Sequence, residues 1–360
     1  MSKISTKISS KINMGNFFED FSIGQKIVHP LPRTISEGDV SLYIAFTGSR
    51  FALHSSDIVA NEMGYEKRPI DDTLMFHLTF GKSVQDVSLN AIANLGYAEI
   101  AFPNPVYVGD TVSMTSTVIG LKENSSGKSG VVYVHSIGYN QNHDEVLNFK
   151  RWVMVHKKDK ETKSGINEVP TFAKTTPILD EINLPKIKCV DTNASGGRFF
   201  FEDYEAGERL NHPDGITVDN SDHTLATKLY QNNAKVHFND HMMKSSPMGQ
   251  RLMYGGIVIS MARALSFNGF QNAQNIYAIN SGAHANPTYA GDTIYAYTEV
   301  LETIDHKRDD IGLLRLRTIA ITNQKSSEFE NPKDENGKYL KNVVLDLDYT
   351  VVIPKKKTKK

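Results

Sequence analysis

The chain repeats itself once over most of its length, and this duplication limits its possible folds more than any other feature. The letters FFEDF at 17–21 return as FFEDY at 200–204, and NPVYVGDTVSMTSTVIG at 104–120 returns as NPTYAGDTIYAYTEVLE at 286–302. Solenoid repeats are roughly 20–50 residues long, so two copies this far apart indicate a duplicated domain. The 360 residues also exceed what one hydrophobic core usually organises.

The two copies and the segments around them divide the chain into five regions. We predict a disordered tail at 1–14, a first copy at 15–158, a linker at 159–197, a second copy at 198–355 and a basic tail at 356–360. The linker contains the letters HKKDKETKSGINEVP and DTNASGGR, which are rich in charge, Gly, Ser and Asn. The fold is therefore a tandem of two related domains.

Both copies show the same order of predicted elements. An alternating strand, KIVHPLPRTI or RLNHPDGITV, precedes a helical stretch at 37–47 or 219–231. The next stretch, at 73–84 or 256–267, is apolar on most faces and predicts a buried helix. Three long extended runs end each copy. The fold class is α+β, with a long antiparallel sheet wrapped around one central helix in each copy.

Charge and cysteine content exclude several functions. The formal net charge is −1, but both tails contain lysine and no acidic residue, so the body between them is acidic. We therefore predict no nucleic-acid partner, and any polyanionic ligand requires a local basic rim. No run approaches the roughly 18 apolar residues of a membrane span, so no membrane partner is expected. The single Cys189 and the absence of a Cys/His cluster predict no disulfide, no metal and a cytoplasmic location.

Each copy has a histidine in the same register of the loop before its buried helix. The first loop reads TGSRFALH at 47–54, and the second reads YQNNAKVH at 230–237. These loops, together with the G-D-T strand start after an N-P turn, resemble the MaoC-like hydratases. The family motif there is Thr-Gly-Asp-x-Asn-Pro-Leu-His. The histidines are retained, whereas Ser49 and Asn232 stand at the aspartate position.

Longer stretches sharpen the resemblance to one subgroup and cover the chain except for its tails. RPIDDTLMFHLTFGKSVQD, LNAIANLGYAEIAFPNPVYVGDT, RWVMVHK, NNAKVHFN and RALSFNGF are similar to the mesaconyl-CoA hydratases, also called β-methylmalyl-CoA dehydratases. The resemblance implies a double hot-dog fold and an acyl-CoA substrate. It further implies reversible hydration of 2-methylfumaryl-CoA to 3-methylmalyl-CoA, without a metal or redox cofactor.

Three other functions stay open. Hot-dog proteins of this type also include (R)-specific 2-enoyl-CoA hydratases acting on other short acyl-CoA esters. The same fold hydrolyses thioesters, and the missing motif aspartates are compatible with a non-catalytic acyl-CoA-binding module. Association of two chains through their sheet edges, giving a homo-oligomer, is a further open point.

Hydration of a conjugated thioester requires a base for water, an acid for the α-carbon and donors for the enolate oxygen. His237 or His54 is the candidate base, and Asn232 can orient a water but cannot transfer a proton. The motif histidine must then perform both proton transfers or use another acid. Asp240, which follows His237 closely, and Asp72 at the first buried helix are the candidates.

The two copies differ where the buried helix begins. The second copy has Gly255 and Gly256, whose backbone allows a thioester carbonyl to approach the amide N–H groups of a helix N-terminus. The first copy has Asp71 and Asp72 there, which cap the helix or oppose a developing negative charge. We therefore expect an oxyanion hole at Gly255 and Gly256, with the first copy as scaffold and binding wall.

The second carboxylate of a mesaconyl group requires a cation, preferably the planar fork of an arginine. Arg50 lies beside the first motif, Arg251 precedes Gly255, and Arg263 belongs to the second buried helix. All three are candidates. For Arg263, a structural salt bridge is an equal alternative, because a charge on an apolar helix needs a partner.

Overall fold

The computed structural model describes residues 11–356 of the chain. Most of the predicted tail at 1–14, and all but one residue of the tail at 356–360, lie outside the described residues. Between residues 11 and 356, no helix has the length and apolar character needed to cross a membrane.

The described residues form twelve β-strands and eight α-helices. The helices are α1 Glu37–Thr47, α2 Asp57–Met63, α3 Asp72–Lys82, α4 Thr192–Ser195, α5 Asn220–Leu229, α6 Lys235–Phe238, α7 Asp240–Lys244 and α8 Gly255–Phe270. The strands are β1 Lys26–Thr34, β2 Ala91–Ala101, β3 Thr111–Glu123, β4 Ser129–Tyr139, β5 Glu145–His156, β6 Asn167–Glu168, β7 Arg209–Asn211, β8 Ile216–Thr217, β9 Asn275–Ala283, β10 Thr293–Asp305, β11 Ile311–Thr322 and β12 Val343–Pro354.

All twelve strands belong to one antiparallel sheet. The first copy contributes the order β1-β3-β4-β5-β2, and the second repeats it in reverse as β9-β12-β11-β10-β7. The two halves join where β2 pairs with β9, for example at Tyr97 opposite Gly282. The predicted pair of antiparallel sheets is confirmed. Their union through β2 and β9 was not visible in the sequence, because strand pairing between domains has no local signal.

The predicted central helices are α3 and α8, and nearly all of their residues are buried. Helix α3 packs against β1 and β3, while α8 packs against β10, β11 and β12. The helices also contact each other, and the His77 ring of α3 lies 3.0 Å from the Ser260 hydroxyl of α8. One hydrophobic cluster extends through both copies. The tandem hot-dog arrangement is thus confirmed, with a core that the two copies share.

The repeated FFED letters form a short 3-10 turn that closes one end of each copy. In both turns the aspartate accepts a hydrogen bond from the backbone N–H of the first phenylalanine, at 2.9 Å. Phe18 then lies over Gly130 of β4, and Phe201 lies over Gly312 of β11. A Cβ atom at either glycine would approach the ring to 2.3 Å. The repeated letters therefore have the same structural role in both copies.

The strand predicted over 209–218 is interrupted. It forms β7 and β8, which both pair with β10. His212 after β7 still donates its backbone N–H to the Ala296 carbonyl oxygen of β10 at 3.1 Å, and residues 213–215 lie outside the ladder. Pro213 lacks a backbone N–H, and Gly215 packs its backbone against Tyr295, so the chain leaves the ladder there. In the first copy β1 continues past two prolines, with a register shift and a left-handed residue at Leu31, because an edge strand tolerates a lost donor.

The segment predicted as a linker follows the surface of both copies. Its strand β6 pairs with β3, and Phe172 stacks on Trp152 with ring centroids 4.8 Å apart. Further along, the guanidinium of Arg308 donates hydrogen bonds to three backbone carbonyl oxygens between Ile182 and Pro185. The segment is therefore fixed to the β10–β11 turn of the second copy.

We expect Gly81→Ala to destabilise the protein by about 2–3 kcal/mol, because overpacking costs about this much. Gly81 of α3 faces the backbone carbonyl of Tyr230, and an added Cβ would lie 1.7 Å from that oxygen. Urea denaturation measures the loss. Gly38→Ala is the matched control, since its nearest neighbour would be 3.5 Å away. Equal stabilities of the two variants would contradict this packing.

Candidate active site

A cavity of about 280 Å³ lies between the two copies, and we call it the interdomain cavity. The second copy contributes Asn232, His237 and Gly255 from its motif loop and from the start of α8. The first copy contributes Tyr97 of β2 and Arg151 of β5. Residues predicted for the site in the second copy and residues of the first copy therefore line the same cavity.

The His237 ring has a hydrogen bond at Nδ1, which leaves Nε2 available as a proton acceptor. Its Nδ1 lies 3.0 Å from the carbonyl oxygen of Leu252, so Nδ1–H donates and the lone pair of the neutral ring is on Nε2. Burial lowers the pKa of His237 to about 4, against a smaller opposite effect of the Leu252 hydrogen bond. The ring is therefore neutral at neutral pH, which is the form that a general base requires.

The backbone of the second motif loop keeps the conformation of the first. Gly48 is left-handed with φ +69, and Gln231 at the equivalent position is left-handed with φ +54. This conformation is strained for a residue with a side chain, and the ammonium group of Lys82 binds the Gln231 amide oxygen. The loop places Asn232 in the interdomain cavity, where its Oδ1 accepts a hydrogen bond from the Ala234 N–H.

The N-terminus of α8 has no side-chain cap. The Tyr254 N–H before it donates to Nε2 of His223 at 3.0 Å, and the Ile257 N–H donates to the Tyr254 carbonyl oxygen at 2.9 Å. The amides of Gly255 and Gly256 between them have no intrahelical acceptor. Gly255 lines the interdomain cavity, and Gly256 lies one residue deeper against His77 and Tyr254. The positive end of the helix dipole and a backbone without Cβ thus meet at the cavity wall.

In the first copy, the N-terminus of α3 is occupied by carboxylates. Asp71 accepts a hydrogen bond from the Thr73 N–H at 2.9 Å, and Asp72 accepts one from the Ile276 N–H at 2.7 Å. Burial raises the pKa of Asp72 to about 6. Asp72 lines a separate hollow that the segment Leu179–Leu184 also lines, so it does not reach the interdomain cavity.

The structure also places His54 and Asp240 outside the interdomain cavity. The His54 ring is 3% exposed, and its two nitrogens lie 3.1 and 2.9 Å from the carbonyl oxygens of Pro69 and Gln274. Asp240 is exposed and pairs with Lys244 at 3.1 Å. Among the described residues that line the interdomain cavity, none is a carboxylate.

None of the three arginines predicted to bind the substrate carboxylate lines the interdomain cavity. Arg50 is exposed and lies 3.7 Å from Asp214. Arg251 donates to side-chain oxygens of helix α5. Arg263 is buried over the Phe51 ring, with its guanidinium carbon 3.9 Å from the ring centroid, and binds the Ser266 hydroxyl and a backbone carbonyl rather than a salt-bridge partner. Nearness to the motif in sequence did not imply nearness in space.

Two further residues of the interdomain cavity were not among those predicted from the sequence. His284 follows β9 and has its ring against Gly255, where a Cβ atom would lie 2.4 Å from the imidazole. Burial, with a smaller effect of His237, lowers the pKa of His284 to about 4. A signal existed, because the second copy has a histidine two residues before the N-P turn where the first has Phe102. For Arg151, the only signal was a charge within an otherwise alternating strand.

The comparisons with known proteins agree on the family. The family model for mesaconyl-CoA hydratase matches residues 4–331. A β-methylmalyl-CoA dehydratase of Chloroflexus aurantiacus is 50% identical over 97% of this chain and 100% of its own length. A mesaconyl-CoA hydratase of Cereibacter sphaeroides is 47% identical over 96% of this chain and 100% of its own length.

Solved structures support the fold. A protein of Chloroflexus aurantiacus described as a MaoC domain dehydratase superposes with a TM-score of 0.94 at 50% identity, covering 97% of this chain and 100% of that one. A Mycobacterium tuberculosis protein with a double hotdog fold superposes with a TM-score of 0.71 at 23% identity, over 94% of this chain and 98% of that one. The second likeness concerns the fold alone.

The neutral state of His237 predicts how stability depends on pH. Its pKa is about 4 when folded and about 6.5 when unfolded, so between these values only the unfolded chain takes up this proton. Stability therefore falls as the pH falls below 6.5, by up to about 1.4 kcal/mol per pH unit from this group. In His237→Gln, urea denaturation between pH 7 and 5 should show a shallower decline.

Asn232→Ala is the control for this measurement, because it alters the same cavity without removing a titrating group. Its decline should match that of the unaltered protein. Identical declines for all three proteins would show that His237 is not held neutral by burial.

Proposed function

The chain belongs to the mesaconyl-CoA hydratase family, and on this premise we propose that it catalyses the reversible hydration of mesaconyl-CoA to 3-methylmalyl-CoA. It is a hydro-lyase acting on a CoA thioester. The observation that carries the proposal is the interdomain cavity, into which the neutral motif histidine and an uncapped helix N-terminus both open.

The thioester carbonyl lies against the N-terminus of α8 in this proposal. Addition of water to the C2=C3 double bond moves electrons onto the thioester oxygen and produces an enolate. The amides of Gly255 and Gly256 stabilise this developing charge, helped by the helix dipole. Such groups stabilise the transition state more than the substrate, which is why they accelerate the reaction.

His237 activates the water. Its Nε2 accepts one proton while the water oxygen forms a bond to C3, and the Asn232 side chain orients the water. The same imidazolium then returns the proton to C2, so that H and OH are added across the double bond and nothing is oxidised or reduced. This route requires no second acid, which agrees with the lack of a described carboxylate along the interdomain cavity.

His284 acts as a positioning residue in this scheme. Its ring lies against Gly255, at the point where the thioester carbonyl must approach the backbone. It also packs edge-on against Tyr97 of the first copy, with ring centroids 5.8 Å apart. The ring therefore limits the space beside the oxyanion hole and directs the carbonyl towards the helix amides.

We further propose a reducing, cytoplasmic location. Cys189 is exposed and is the one cysteine of the chain, so no intramolecular disulfide stabilises the fold. A protein of this kind is compatible with a compartment in which thiols stay reduced.

His237→Gln should lower kcat/KM for mesaconyl-CoA at least about a hundredfold, the low end for a lost acid–base group. The loss of absorbance of the conjugated thioester measures turnover. His54→Gln serves as the comparison, because His54 binds backbone carbonyls outside the interdomain cavity. Its activity per folded molecule should be largely retained.

Several outcomes would contradict this proposal. If the unaltered protein leaves the absorbance unchanged, the proposed function is wrong. Release of free CoA would instead indicate a thioesterase, and comparable turnover of crotonyl-CoA would indicate a general 2-enoyl-CoA hydratase. A large effect at His54 without one at His237 would place the active site in the first copy.

Gly255→Ala should reduce kcat by about a hundredfold or more, as expected when an oxyanion donor is blocked. Its methyl group meets the His284 ring, so part of the loss comes from displacing that ring. A double-mutant cycle with His284→Ala measures this coupling. The double variant should lose less activity than the two single losses multiplied, and purely multiplicative losses would argue against the contact.

A further inference from the structure

Two side chains in the first-copy wall of the interdomain cavity have polar atoms without partners. Arg151 is 0% exposed, and only its Nη2 has a hydrogen bond, to the Ser83 hydroxyl at 2.8 Å. Its Nε and Nη1 are buried with no hydrogen-bond partner, and so are both amide atoms of Asn94. Both residues line the cavity, on the neighbouring strands β5 and β2.

A buried guanidinium with unpaired donors lowers the free energy of unfolding. Removing a cation from water requires compensation by an anion or by several hydrogen bonds. The face of the Phe80 ring, 4.3 Å from the guanidinium carbon, supplies a weak cation–π contact. Burial lowers the pKa of Arg151 only to about 10, so the group remains a cation at neutral pH. No carboxylate of residues 11–356 pairs with it.

Other arginines of the chain show what a compensated guanidinium looks like. Arg263 is also buried, but it donates to the Ser266 hydroxyl and to the Ala273 carbonyl. Arg308 binds Asp310 together with the carbonyl oxygens of the connecting segment. The guanidinium groups of Arg263 and Arg308 thus bind acceptors that belong to the protein itself. Arg151 instead has two donors without a partner, and it lines the same cavity as the motif histidine His237.

We propose that Arg151, assisted by Asn94, forms a subsite for the carboxylate of the substrate. This inference rests on the proposed function and adds the residue that selects the dicarboxylic acyl group. The guanidinium donates to the carboxylate oxygens, and the Asn94 Nδ2 group supplies a further donor. The planar arginine fork matches a carboxylate better than a lysine ammonium does.

The chemistry of the substrate supports this location. In mesaconyl-CoA the free carboxylate is bonded to C3, the carbon that the water attacks. Its receptor must therefore share the cavity with His237, and Arg151 is the arginine that does so among the described lining residues. Holding the carboxylate in the first-copy wall turns C3 towards the His237 water, while the thioester carbonyl at C1 lies at α8.

A subsite built for a charge discriminates against a substrate that lacks it, because the buried donors then stay unpaired. The matched probe is 2-methylbut-2-enoyl-CoA, in which a methyl group replaces the carboxylate and the rest of the acyl chain is unchanged. The ratio of kcat/KM for mesaconyl-CoA to that for this probe measures the discrimination directly.

The test is Arg151→Gln. Turnover of mesaconyl-CoA should fall at least about a hundredfold, as for truncation of one partner of a buried charge pair. Turnover of 2-methylbut-2-enoyl-CoA should be unchanged or higher. The ratio of kcat/KM for mesaconyl-CoA to that for this probe should therefore fall by at least about the same factor. Arg151→Lys keeps the cation without the fork and should lower the ratio less. Arg50→Gln is the matched surface control and should leave the ratio unchanged.

Thermal unfolding of each variant separates specificity from damage to the fold. Equal losses with both substrates would show a structural role for Arg151 and overturn the proposal, and so would an unchanged ratio. A selective loss in Arg50→Gln or Arg251→Gln would move the subsite to those residues. If Arg151→Gln does not fold, Arg151→Lys and Asn94→Ala provide the same comparison of ratios.

Binding separates this inference from the proposed reaction. Succinyl-CoA and butyryl-CoA are saturated analogues that differ in the terminal carboxylate, and calorimetry measures their affinities without turnover. The unaltered protein should prefer succinyl-CoA, and Arg151→Gln should abolish that preference. If mesaconyl-CoA is not hydrated but this preference holds, only the reaction assignment fails. If hydration occurs and no Arg151-dependent preference exists, only the subsite fails.

Discussion

Pairing between β2 and β9 is the contact on which the rest of the structure depends. It joins the six strands of each copy into one sheet and lets α3 and α8 meet inside one core. The interdomain cavity exists only because of this union, since one wall belongs to β2 and β5 and the other to the second motif loop and α8. Neither copy alone contains both walls.

Duplication within one chain allowed the copies to diverge while the sheet stayed symmetrical. The helix N-terminus of the second copy keeps glycine and no side-chain cap, whereas in the first copy Asp71 and Asp72 accept backbone hydrogen bonds. Asp71 thereby caps the N-terminus of α3, whereas Asp72 binds the Ile276 N–H of β9. In the proposed scheme, chemistry belongs to the second copy and recognition to the first.

Much of the fold could be predicted because its signals are local or repeated. The periodicity identified α1, α3, α5 and α8 within a few residues, and the duplicated letters identified equivalent elements. The break between β7 and β8 was missed because tertiary packing, at Gly215 against Tyr295, overrode a favourable strand pattern.

For the site, sequence alone determined what the motif loop carries: His237, Asn232 and the following glycines, together with the loss of the motif aspartate in both copies. These residues are close along the chain, so the loop and the helix start bring them together. Only the tertiary structure decided that Arg151 and His284, and not Arg50, Arg251 or Arg263, face the same space. The reason is physical, because strand pairing and burial bring residues of different copies into contact, and no local pattern records which of them meet.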